Sequence, residues 1–229
     1  MKFKISEEVF EILPGVCFGV VVAKGVESRE ISSGLEEVAR ELEERYSGGR
    51  AKDIEEIAVY RDAFKKMGYN PNKFMPSIES LTGRVLKQKG VPSILPVVDL
   101  YNAISLKYLL PIGGHDMDSG TDDIEVRLST IGDLFTPFGS SEGEEIPAGE
   151  MIYSVGREVK TRRWIWRQGE LGKITRESRN IFFPIDGFEG RNDAEVRRAV
   201  EELAERLKVL FQCEVRTGYI NSENKEMEL

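Results

Sequence analysis

The chain has 229 residues, 40% of them apolar, with 32 basic and 40 acidic side chains and a net charge of −8. That length and apolar fraction can supply a buried core, and charge mixed at this level excludes a disordered chain or a uniformly basic one. The longest apolar run, residues 16–23, falls short of the roughly 20 residues a bilayer span needs and lacks the basic setting of a secretion signal, so no membrane partner and a cytoplasmic location are expected.

In chain order, residues 1–50 read as a strand and helix extension. Helical periodicity follows over 28–47, with Leu35, Val38, Ala39 and Leu42 on one face, and over 53–68, with Ile54, Ile57, Ala58 and Phe64. The segment 76–90 opens on Ser77 as an N-cap and closes on Gly90, and a fourth helix is predicted from Pro96 to Leu109. After Gly113, short alternating or β-branched runs between glycines, prolines and aspartates predict strands, among them 161–168 and 180–187. A long helix from an Asn/Asp cap at 192–193 and a strand over 213–220 close the pattern, and residues 221–229 read as a flexible tail. The expectation is a single α+β domain over 1–229, with a mixed or antiparallel sheet covered by helices.

Several groups could carry chemistry. His115, the only histidine, follows Gly113 and Gly114 and precedes Asp116, while Asp99 and Asn102 share one face of the preceding helix. These residues serve either as turn chemistry or as part of a site. On a strand over 161–168, Trp164, Trp166 and Gln168 share a face, and Glu170 keeps their parity. The indoles then either pack in the core or wall a pocket with a polar end that favours a hydroxyl-bearing ligand. Residues 157–179 hold eight basic side chains against three acidic ones, either a salt-bridged strand face or a local nucleic-acid contact through Arg162, Arg163, Arg167, Lys173 and Arg176. Cys17 and Cys213 have no metal-site or redox spacing, the acidic loop 115–123 does not fit an EF-hand, and glycine-rich nucleotide loops and the GxSxG elbow are missing; no metal and no cofactor are expected.

The stretch VVDLYNAISLKYLLPIGGHD resembles the V-D-x-x-N…P-x-x-x-H-x-x-D motif of the B3/B4 domain of the phenylalanyl-tRNA synthetase beta subunit. GELGKITRESRNI is similar to that domain's G-E-x-S-x-V-(S/T)-x-x-T-x-N-(I/V) run, with Glu170 and Asn180 at matching separation. The stretch YRDAFKKMGYNPNKFMPSIESLTGRVL, with Arg61, Ser77, Glu79 and Arg84, and RWIWRQ look like short freestanding relatives, so the resemblance runs from about residue 55 to 190. It implies an editing-domain fold and deacylation of mischarged aminoacyl-tRNA in trans, without tRNA ligase activity from this chain alone. It also implies that His115 and Asn102 sit around the ester, that Glu170 receives the amino acid's hydroxyl and that tRNA is the partner; the residues' own spacing adds Asp99 to the catalytic candidates and Trp164, Trp166 and Asp116 to the substrate-binding ones. A tRNA- or RNA-binding module without catalysis and an amino-acid sensor are the alternatives.

Overall fold

The run Val16–Lys24 is apolar on both faces because both faces are covered, and that burial organises the fold. The computed structural model describes residues 1–229. The chain begins with β1 (Lys2–Ile5), α1 (Glu7–Ile12) and β2 (Val16–Lys24), then α2 (Leu35–Arg45), α3 (Glu55–Lys66), α4 (Ser77–Leu86) and α5 (Pro96–Tyr108). Short strands follow: β3 (His115–Asp116), β4 (Ile124–Leu128), β5 (Leu134–Phe135), β6 (Glu144–Glu145), β7 (Met151–Val155), β8 (Glu158–Arg162) and β9 (Arg167–Gln168). The last elements are β10 (Asn180–Phe188), α6 (Asp193–Phe211), β11 (Glu214–Ile220) and β12 (Glu226–Glu228).

The expected α+β architecture is present, with its strands divided between two sheets. The smaller is antiparallel, in the order β11-β2-β10-β3; the larger is mixed, in the order β12-β1-β4-β7-β8-β5-β6, with β9 paired to β8. Aromatic rings join the two sheets. Phe3 of β1 meets Phe18 of β2, Phe182 of β10 and Tyr153 of β7, with ring centroids 4.7–6.1 Å apart. Helix α6 lies against β2 so closely that Gly19 has no room for a side chain: a Cβ there would stand 2.6 Å from Val200 and 2.8 Å from Val196.

Five expectations are corrected. Residues 1–50 are no appendage, since β1 and β2 are interior strands of the two sheets. Residues 221–229 are no loose tail either: β12 pairs with β1, the Leu229 N–H donates to the Met1 carbonyl at 3.1 Å, and Leu229 is buried. Nor is 161–168 one strand. Arg163 and Trp164 both have left-handed backbone (φ 48° and 61°), so β8 turns back on itself as β9 and the predicted alternation of side chains is lost. The 28–47 helix starts only at Leu35, after Gly34 at φ 73°, and Ser77 is the first helical residue after Pro76 rather than a side-chain cap. No helix is long and apolar enough to cross a membrane.

Candidate functional site

A cavity of about 290 Å³ opens between α4, α5, the β8–β9 hairpin and the small sheet. Its rim is exposed and carries Ser77, Ser80 and Arg84 of α4 and Arg167 of β9, while its floor is buried and consists of Tyr153, Trp164, Pro184, Asp186 and His115. Asn102, Gln168 and Trp166 line it between these depths. The volume suits a ligand the size of one amino acid, at the lower end of small-molecule sites.

Asp186, which sequence reasoning missed, organises the floor. It sits on β10 at 2% exposure, and one of its oxygens, Oδ1, accepts hydrogen bonds from Tyr153 Oη at 2.7 Å and Trp164 Nε1 at 2.6 Å. Oδ2 has no partner in the protein. The Asp186 carbonyl accepts from Tyr60 Oη at 2.8 Å, and Asn192 Nδ2 donates to that phenol at 2.9 Å, so the backbone is pinned as well. Burial pushes the carboxyl up to about 7, against the two hydrogen bonds, which favour the charged form. Its only signal in the sequence is a single acid inside the apolar run NIFFPIDGF.

His115 pairs with Phe182 on the strand edge, and its ring stacks on Tyr153 (centroids 5.7 Å, planes 22° apart) and on Phe182 (6.0 Å, 29°). It is 4% exposed, and burial, with a smaller contribution from the Lys160 charge, lowers its pKa to about 3, so the imidazole is neutral at pH 7. The space beside Gly114 is closed to a side chain. A Cβ on Gly114 would come within 2.6 Å of Ile174 and 2.9 Å of Tyr101, and the Gly114 carbonyl accepts from Gln168 Nε2 at 2.8 Å.

The structure thus brings His115, Asn102, Trp164 and Trp166 together and leaves other expected residues elsewhere. Asp99 does not face the cavity; it accepts from Ser93 Oγ and from the Ile94 N–H at 2.9 Å and closes the loop before α5. Glu170 does not face it either. With the strand parity broken, its carboxylate accepts from the Gly139 N–H at 2.8 Å and pairs with Lys173, both of which hold its pKa down. Asp116 is turned toward the 172–178 loop, accepting from Ser178 Oγ and from the Asp118 N–H. Of the other loop carboxylates, Asp118 accepts from Asn180 and Asp123 pairs with Lys4.

The basic stripe is also dismantled. Arg162 and Arg163 both bind Glu150, and Arg163 stacks on Phe74 and Trp166. Lys173 is committed to Glu170, and Arg176 is exposed away from the cavity. Arg167 alone of the five lines the cavity, as does the exposed Arg84; neither guanidinium has a carboxylate partner within 4.0 Å. Arg167 belongs to the stripe and Arg84 to the stretch 60–86, and only the fold brings both to one cavity. The cavity is therefore bipolar, with a carboxylate at its floor and two free cations at its mouth.

A family model for the B3/4 domain matches residues 59–209. No protein of curated function matches the sequence. Among solved structures, a crystal structure of an N-terminal fragment of the phenylalanyl-tRNA synthetase beta subunit from Pyrococcus horikoshii is similar, with 12% identity and a TM-score of 0.51. The alignment covers 93% of this chain and 50% of that fragment, so this chain spans half its length, and the likeness is one of fold. With its family match covering most of the chain, including α5, His115 and Asp186, the protein belongs to the B3/4 domain family.

Proposed function

We propose that the cavity takes the aminoacyl end of a mischarged tRNA and hydrolyses its ester in trans. The observation that carries this reading is the bipolar arrangement: Asp186 with an unpaired oxygen at the floor, Arg84 and Arg167 without acidic partners at the rim. An amino-acid ester of tRNA has matching chemistry, with an ammonium or polar side-chain group at one end and phosphates at the other. The family membership and the likeness to a phenylalanyl-tRNA synthetase fragment support it.

On this reading the amino acid's polar group reaches Asp186 Oδ2, and the ester lies near His115 and Asn102. Water adds to the acyl carbon, the ester C–O bond breaks, the carboxylic acid leaves and the terminal ribose oxygen takes a proton. The protein has to position water and ester and to stabilise the developing oxyanion. A neutral imidazole and a side-chain amide can donate hydrogen bonds to that oxygen, and the neighbouring ribose hydroxyl can share the proton transfer. Glu170 has no part in this scheme, since Asp186 is the acid that lines the cavity.

Incubation of the purified protein with a panel of misacylated tRNAs is expected to release one class of amino acid faster than buffer, with loss in Asp186→Asn and His115→Ala. No release across the panel overturns the enzyme. The low pKa of His115 favours a second reading, a pocket that binds the aminoacyl end without cleaving it; it predicts salt-dependent binding with an unchanged ester half-life.

A further inference from the structure

A second space adjoins the site. It is a chamber of about 10 Å³ lined in part by Ser119, Lys160, Met117 and Val155, and His115 is the only residue common to it and the cavity. His115 Nδ1 is buried without a hydrogen-bond partner in the protein. Nε2 lies 3.4 Å from where a Cβ on Gly113, a residue that lines the cavity, would stand. Lys160 is 2% exposed, an unusual place for an ammonium, and donates to Glu158 and to Ser119 Oγ at 3.3 Å. An ammonium has three protons, so one remains.

A chamber of this size holds a single water, and buried water settles where polar groups otherwise lack partners. We propose that one water seated there accepts the third proton of Lys160 in a hydrogen bond and donates to His115 Nδ1, fixing the imidazole with its proton on Nε2. Lys160 is then a positioning residue, acting through the water on the histidine. His115 faces the cavity as a hydrogen-bond donor, able to hold a carbonyl or ribose oxygen and unable to take a proton from water at Nε2. That consequence rests on the ester-hydrolysis reading; the tautomer itself does not.

The chain has one histidine, so the test is unambiguous: a long-range proton–nitrogen correlation spectrum of ¹⁵N-labelled protein at pH 7 shows one imidazole. The expected result is a neutral ring protonated at Nε2; a proton on Nδ1, or an even mixture, overturns the proposal. Lys160→Met removes the donor and is expected to shift the ring toward the Nδ1-protonated form, whereas an unchanged tautomer removes Lys160 from the account. Val155→Leu fills the chamber while leaving Lys160 and both of its hydrogen-bond partners in place, and is expected to give the same shift; an unchanged spectrum there overturns the water. An intact Nε2 tautomer in a protein that cleaves no misacylated tRNA counts against the enzyme alone, and an Nδ1 tautomer in an active deacylase counts against this inference alone.

Discussion

The indole of Trp164 donates to the carboxylate of Asp186 at 2.6 Å, across 22 positions of sequence and between the two sheets. Trp164 leaves the strand path with left-handed backbone, and the bond is made from that turn. Two adjacent non-glycine residues in that region are strained by about 1–2 kcal/mol each. Complete burial of the indole offsets part of this, as do the bond from the Trp164 N–H to the Met151 carbonyl and the ion pair of Arg163 with Glu150. The strained turn aims an aromatic wall and a hydrogen-bond donor at the cavity floor.

The pH dependence of stability follows from the two buried titratable groups on that floor. Asp186 titrates at about 7 in the fold against roughly 3.9 unfolded, so its contribution is fully present below pH 4 and is lost as pH rises through 7. His115 titrates at about 3 against an unfolded value near 6.5, so its contribution is present above pH 6.5 and lost as pH falls toward 3. Each tilts the curve by about 1.4 kcal/mol per pH unit, in opposite directions, between pH 4 and 6.5. Urea unfolding across that range is expected to show Asp186→Asn gaining stability relative to the parent as pH rises. His115→Gln is expected to gain relative to the parent as pH falls. Parallel curves for all three proteins would contradict both assignments.

Arg61 and Glu79 form a buried pair between α3 and α4, with both carboxylate oxygens within 2.7 Å of Arg61 Nη1 and side-chain exposures of 11% and 5%. Glu79→Ala leaves the guanidinium without its counter-charge, held only by the Asn72 and Pro71 oxygens, and is expected to destabilise the protein by about 3 kcal/mol. The double variant with Arg61→Met recovers part of that loss in a thermodynamic cycle. A cost for Glu79→Ala below about 1 kcal/mol would place the pair among exposed ones.

Arg84 and Arg167 are expected to act on ligand rather than on fold. Arg84→Ala and Arg167→Ala should leave the melting temperature within a degree or two, weaken tRNA binding and each reduce the slope of log affinity against log salt by about 1. Arg162→Ala is the contrasting variant. It strips Glu150 of a two-pronged partner and is expected to lower the melting temperature, as thermal scans will show.

Gly114→Ala tests whether the glycine pair is required by packing. Its new Cβ would displace Ile174 or Tyr101, at a cost of about 1–3 kcal/mol, and shift the strand that carries His115. A variant as stable as the parent would show that the wall yields.

Much of this was legible in the sequence for physical reasons. Helices α2, α3, α4 and α6 were readable because each buries one face, and β10 because its run is apolar but for Asn180 and Asp186. His115 stood out as a lone imidazole behind two glycines, and Asn102 lines the same cavity. What was not legible depended on distant partners. Nothing in TRRWIWRQ marks Arg163 and Trp164 for left-handed backbone, and one lost step of alternation turned Glu170 away from the site. The run 157–179 looks basic because the acids that neutralise Arg162 and Arg163, Glu144 and Glu150, lie on other segments. Asp186 reads as one acid in a strand until Tyr153 and Trp164 are seen to converge on it. The polar end of the chain reads as loose, yet it is held by pairing with β1 and by Met227 seated on Gly218.

Both tryptophans of the chain line the cavity, one hydrogen-bonded at the floor and one half-exposed near the rim. The protein therefore carries an intrinsic optical probe confined to this one place. Emission from Trp164 is expected to respond to the charge on Asp186 and emission from Trp166 to the solvent beside it, so a ligand that touches either indole is expected to register as a change in fluorescence of the unlabelled protein.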